Sequence, residues 1–175
     1  MKIIACLGNP GEKYRFTRHN IGSLAGESLA AHYGIQISRK GFSALYGIGK
    51  IGIHDIVLLF PQTFMNLSGQ SVAAALSFFK VDENDLIVIH DEIELPFGDI
   101  RKKKGGGHKG HNGLRSIMQQ IGSPDFQRLR FGVGRPSNEH IQVADHVLSD
   151  FSTEERSRLE SLYIRVREDI EGMLE

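Results

Sequence analysis

Four consecutive apolar residues, Leu86-Ile87-Val88-Ile89, run without a polar interruption and then meet His90-Asp91. A strand of that kind has no solvent face, so it belongs in the centre of a sheet covered on both sides. The remaining segments supply the covers. Lys2 to Leu7 reads as a short strand that stops at the turn Gly8-Asn9-Pro10-Gly11. Asn20 is placed to cap a helix whose apolar face is Ile21, Leu24, Ala25 and Leu29. Phe42–Gly49 and Ile53–Phe60 pair around Gly52, and Ser68–Phe79 reads as a helix with Val72, Ala75, Leu76 and Phe79 on one side. Beyond the central run, Asp99–Lys104 has the lysines of an edge strand. Asn112–Ile121 reads as a helix, Arg128–Val133 as a strand. Ser152 and Glu155 form a capping box for a last helix that buries Leu159, Leu162, Tyr163, Val166 and Ile170. Strands alternating with helices give an α/β fold: a single domain over residues 1–175 with a twisted, mixed, mostly parallel sheet flanked by helices.

The chain can bury enough surface to need no staples. For 175 residues, surface scaling gives about 8,500 Å² folded against about 28,000 Å² unfolded. Its 40% hydrophobic and 24% charged content excludes a disordered or fibrous chain. The lone cysteine, Cys6, allows neither an internal disulfide nor a cysteine-based zinc site and fits a reducing compartment. No apolar run approaches the length of a bilayer span and none resembles a signal segment. A cytoplasmic monomer is expected.

Charge is balanced overall, with 21 basic and 21 acidic residues, yet it is segregated. Val81–Ile100 holds Asp82, Glu83, Asp85, Asp91, Glu92, Glu94 and Asp99 with no Lys or Arg. Arg101–Lys109 then holds Arg101, Lys102, Lys103, Lys104 and Lys109 with no acid. A neutral protein can present a local field to a polyanion in this way, although a solvated charge run would look the same.

In open α/β sheets, sites form at the carboxyl ends of strands, so the loops there carry the functional information. They lack the Gly-x-Gly-x-x-Gly and P-loop fingerprints and contain no Gly-x-Ser-x-Gly elbow. His108 and His111, with His90 or Asp91, have the residue types of a metal site, but Gly105–His111 is too glycine-rich to preorganise one. No metal and no cofactor is expected. What remains is Asn9, His19, Asn66, Asp91 and Asn112: three amides, one imidazole and one carboxylate. Each alone is an ordinary turn, cap or surface residue. Together they suit a water activated by histidine, with the carboxylate fixing the tautomer, attacking an acyl carbon. Asparagine amides both donate and accept, so they grip a peptide backbone regardless of its side chains and can stabilise an oxyanion.

Leu7–Tyr14 with Thr17–Gly22, Thr63–Gly69, His90–Gly98 with Gly105–Leu114, and Phe126–Pro136 resemble, in order and spacing, the four signature segments of the bacterial peptidyl-tRNA hydrolase family. The resemblance runs the length of the chain. It implies hydrolysis of the ester joining a peptide to the terminal ribose of tRNA, without a metal. It implies His19 as general base, Asp91 as the residue that orients it, and Asn9 as the sensor of an N-blocked peptidyl group. Asn66 and Asn112 would hold the peptide and the 3′ end, Tyr14 and Phe64 would line the terminal nucleotide, and Lys103 and Arg130 would meet the tRNA backbone. Three positions depart from the family pattern: Lys109 replaces a common glycine, Glu92 a common aspartate and Phe60 a frequent basic residue. A non-catalytic RNA-binding module of the same fold is the alternative, and the presence of both His19 and Asp91 favours catalysis.

Overall fold

In the computed structural model, which describes residues 1–175, the apolar run lies where its composition requires. In chain order the elements are β1 (Lys2–Cys6), α1 (Ile21–Tyr33), β2 (Arg39–Gly41), β3 (Ala44–Ile51), β4 (His54–Pro61), α2 (Ser68–Phe79), β5 (Leu86–Glu92), β6 (Ile100–Lys104), α3 (Asn112–Ile121), β7 (Gln127–Gly132), α4 (Val143–Val147) and α5 (Thr153–Leu174). One seven-stranded sheet takes the order β2-β3-β4-β1-β5-β7-β6. Leu86, Ile87, Val88 and Ile89 are fully buried in β5. The sheet is mixed as expected, with the parallel pairs β4–β1, β1–β5 and β5–β7 at its centre. The pairs β2–β3, β3–β4 and β6–β7 are antiparallel, so parallel pairing makes up half of the sheet rather than most of it.

Side-chain alternation splits the interior into two layers. Ile4, Cys6, Ile87, Ile89, Leu129 and Phe131 face the layer that α1 and α5 cover. Ile3, Ala5, Leu7, Leu86, Val88 and Phe126 face the layer with residues of α2 and α3. The accessible surface, 8564 Å², matches the scaling value for a compact chain of this size. No helix is long and apolar enough to cross a membrane.

Most elements coincide with the sequence reading. The capping box is present: Glu155 N–H donates to Ser152 Oγ at 3.1 Å, and Ser152 N–H donates to Glu155 Oε1 at 2.9 Å. Asn20 is a correction. It stands at the start of α1 but makes no side-chain cap; its amide instead bonds both the N–H and the carbonyl of Asn9, each at 2.9 Å. The short β2 and the five-residue α4 have no counterpart in the sequence reading. Both lack the apolar periodicity that marks the longer elements.

Connectivity sets where a site can form. From β1 the chain leaves through α1 on one layer, whereas the helix that follows β5 and β6, α3, lies on the other. The carboxyl ends of adjacent β1 and β5 therefore border a crevice of the kind in which α/β sheets bind ligands.

Candidate active site

Gly22 brings the first side chain into that crevice. A Cβ at Gly22 would lie 2.2 Å from the Ile89 carbonyl and 2.8 Å from Leu7 backbone atoms, so only glycine lets α1 begin this close to the sheet. The preceding turn, Arg18–Asn20, is thereby held over the end of β5. Arg18 fastens it from the other side, donating to the Ser149 and Asp150 carbonyls and to Glu155 Oε1.

His19 and Asp91 meet there. His19 Nδ1 lies 2.9 Å from both Asp91 carboxylate oxygens, and the residues are 8% and 3% exposed. A carboxylate only accepts, so Nδ1 carries the proton and Nε2 keeps its lone pair. Burial opposes charging of the imidazole, but the charge and hydrogen bond of Asp91 outweigh it and raise the His19 pKa above 6.5. Burial likewise opposes ionisation of Asp91, and the two neighbouring imidazoles outweigh it, holding the carboxyl far below its ordinary value.

The second imidazole is His111, a residue that sequence reasoning considered only as a metal ligand. Its Nε2 lies 2.8 Å from Asp91 Oδ1. Its Nδ1 accepts from Gly113 N–H at 3.1 Å and Leu114 N–H at 3.2 Å, so the ring is the N-cap of α3. The cap fixes the tautomer: Nδ1 accepts, hence Nε2 donates to Asp91. The signal available beforehand was its place one residue ahead of an expected helix.

His19, Asp91 and His111 bring potential metal-ligand atoms within 4.8 Å of one another. Their chemistry does not fit an ion. Metal on His111 Nε2 would drive the proton to Nδ1, where two N–H donors already point. Metal on His19 Nδ1 would take the place of its hydrogen bond to Asp91. His108, the other sequence candidate, is outside the group and accepts from Gly110 N–H through Nδ1.

A cavity of about 430 Å³ opens beside the pair, lined by His19, Asp91, Lys103, Asn112 and Arg130 among others. The remaining expected residues lie outside it. Asn9 lines a separate groove of about 330 Å³, and its Oδ1 accepts from Met65 N–H at 2.7 Å, which leaves the Nδ2 group as its side-chain donor. Tyr14 and Phe64 meet edge to face at 6.5 Å, with Phe64 exposed. Asn66 is exposed in the turn that precedes α2.

Alternation sorts the basic run. Lys103 pairs with Arg128 across β6 and β7, which puts both on the cavity side with Arg130. Lys102 points to the opposite layer, close to Gly172 of α5. Arg130 stands 3.9 Å from Glu92. Arg128, which the sequence reading did not single out, is 1% exposed and donates to the carbonyls of Gly106, Gly107 and Pro124 at 2.7, 2.9 and 3.0 Å. It pins the start of the glycine-rich loop. His90 is also buried; its Nδ1 donates to the Asp91 carbonyl at 2.8 Å, and burial, helped by nearby His111, pushes its pKa down to about 3.

Comparisons with known proteins agree with one another. The family profile described as peptidyl-tRNA hydrolase matches residues 3–175. A protein named peptidyl-tRNA hydrolase from Geobacter sp. (strain M21) is 52% identical over 158 residues, covering 90% of this chain and 83% of the relative. One of the same name from Geobacter sulfurreducens is 47% identical over 173 residues, covering 99% and 89%. A crystal structure of peptidyl-tRNA hydrolase from Acinetobacter baumannii superposes with a TM-score of 0.91 at 40% identity, covering 98% of this chain and 87% of that one.

Proposed function

The chain belongs to the peptidyl-tRNA hydrolase family, and from that premise we propose that it hydrolyses the ester between peptide and tRNA with His19 as general base. The observation that carries this reading is the contact of His19, a residue of the cavity lining, with Asp91 through Nδ1 at 2.9 Å, which leaves the lone pair of the neutral ring on Nε2. Nε2 takes a proton from water as the water oxygen attacks the ester carbonyl. Electron density moves to the carbonyl oxygen, which an asparagine amide can stabilise. Collapse of the tetrahedral intermediate breaks the bond to the ribose oxygen, and the proton held on Nε2 passes to that oxygen. Asp91 stays anionic throughout because two imidazoles donate to it. Its part is orientation and charge.

Asn9 senses the N-blocked peptidyl group, while Asn66 and Asn112 hold the peptide and the 3′ end. Tyr14 and Phe64 line the terminal nucleotide. Lys103 and Arg130 meet tRNA phosphates, as the cavity's basic wall supports. The protein works as one domain over residues 1–175 and as a cytoplasmic monomer, in keeping with the single, buried Cys6. No metal enters the reaction.

Turnover of N-acetyl-aminoacyl-tRNA by the wild type and by Asp91→Asn tests the mechanism. The wild type should release N-acetyl amino acid, insensitive to a chelator. Asp91→Asn should fold and be slower by roughly 10²–10⁴-fold, because an amide offers one acceptor to two imidazole donors. A fully active Asp91→Asn would overturn the pairing, and strong inhibition by the chelator would overturn the metal-free scheme.

A further inference from the structure

The glycine-rich loop is held at both ends, by Arg128 on the Gly106 and Gly107 carbonyls and by His111 on α3 and Asp91. Between these anchors the chain reverses in a tight turn, closed by His111 N–H donating to the His108 carbonyl at 2.9 Å. Its central residues, Lys109 and Gly110, have φ of +49° and +82°. Positive φ at both central positions is the signature of a type I′ turn, for which asparagine or glycine is the favoured first residue. Lysine there is locally disfavoured, and residues kept in such conformations cluster at binding sites.

The electrostatics of the cavity supply the second observation. Of the cations that line it, Arg135 is paired with Glu94, Arg128 is engaged with carbonyls and Arg130 faces Glu92. Lys103 and Lys109 line the same cavity and neither has an acidic partner. Lys103 is held below the usual lysine value, first by partial desolvation and then by the charges of Lys109, Arg130 and Arg128, with Glu92 acting the other way. Two lysines on one cavity wall, neither in an ion pair although Glu92 lines the same cavity, suit an anionic ligand.

We propose that Lys109 is a phosphate-binding residue of this site, a third cation beside Lys103 and Arg130, carried on the strained tip of the glycine-rich loop. The inference rests on the reading of the cavity as a tRNA-ester site and adds to it a contact whose loss relieves strain. Affinity and stability should therefore move in opposite directions when the lysine is replaced.

The test is the salt dependence of tRNA binding by the wild type, Lys109→Asn and Lys109→Arg, with thermal unfolding of each. Lys109→Asn should unfold at a higher temperature, flatten log K against log[salt] by about 0.7–0.9, and bind about sixfold more weakly at 0.1 M salt. Lys109→Arg should keep the wild-type slope. An unchanged slope in Lys109→Asn, with or without a change in affinity, would overturn the phosphate contact. Binding of uncharged tRNA reads this contact independently of hydrolysis, so a wild type that binds tRNA but fails to cleave the ester would defeat the reaction scheme and leave the test of Lys109 intact.

Discussion

His111 Nε2 donates to Asp91 Oδ1 at 2.8 Å while its Nδ1 caps α3, so one ring ties the carboxylate that holds His19 to the start of a helix. The two duties can be separated by substitution. His111→Ala should lose about 1 kcal/mol of stability with the cap and should also lower kcat, because Asp91 loses one donor. His111→Asn should recover the stability, since asparagine is among the best N-caps, without recovering the rate. Melting temperature and kcat for the two variants check this. Recovery of both by asparagine would show that only the helix matters.

The pH dependence follows from His19. Its folded-state pKa is raised above 6.5 despite burial, so neutral Nε2 accumulates only above that value and the rate should rise through an ionisation above 6.5. Stability should run the other way. The contribution of the His19–Asp91 pair is fully present below the unfolded histidine value and is lost as pH rises through the folded one. A rate profile whose midpoint falls below 6.5 would contradict the assignment.

Asn9 is anchored at one end only. Its Oδ1 accepts from Met65 N–H, and the free Nδ2 group can meet a substrate carbonyl. Asn9→Ala should reduce the ratio of kcat/KM for N-blocked over free aminoacyl-tRNA by the worth of a hydrogen bond, about 0.5–1.5 kcal/mol or roughly two- to twelvefold. It should also destabilise the fold by about 1–3 kcal/mol through the unpaired Met65 N–H. An unchanged ratio would locate selectivity elsewhere.

Lys103→Ala and Arg130→Ala should raise KM for full-length tRNA substrates and flatten the salt slope by about 0.7–0.9 each. Arg130 already faces Glu92 at 3.9 Å, so its loss should be the smaller of the two. A blocked amino acid on a short 3′ fragment, which cannot reach the basic wall, should suffer much less. Equal losses on both substrates would move these residues into the chemistry.

The sequence made legible whatever rests on periodicity or on a local signature. The uninterrupted apolar run placed β5 at the centre, and Ser152 with Glu155 marked the start of α5. Asn20 was misjudged because its position next to a helix suits a cap, whereas its partner, Asn9, is 11 residues away and is brought near only by the fold. The part of His111 as donor to Asp91, rather than as a metal ligand, is hidden for the same reason: the contact spans 20 residues and requires β5 and α3 to be docked first. Arg128 sits in a strand pattern that alternates with Leu129 and Phe131, and only the path of the loop shows three carbonyls converging on it. Of the distant contacts only that of His19 with Asp91 is legible beforehand, from the residue types at the strand ends and the family resemblance, whereas those of Asn20, His111 and Arg128 need the fold.

The most direct test of the central claim separates chemistry from binding in His19→Ala. Single-turnover hydrolysis of N-acetyl-aminoacyl-tRNA and equilibrium binding of tRNA should be measured on the same preparation. The account predicts a rate lower by roughly 10²–10⁴-fold with Kd for tRNA within about twofold of wild type, because the imidazole acts on water and not on phosphate. Parallel loss of rate and affinity, or a wild type that binds tRNA without cleaving its ester, would contradict it.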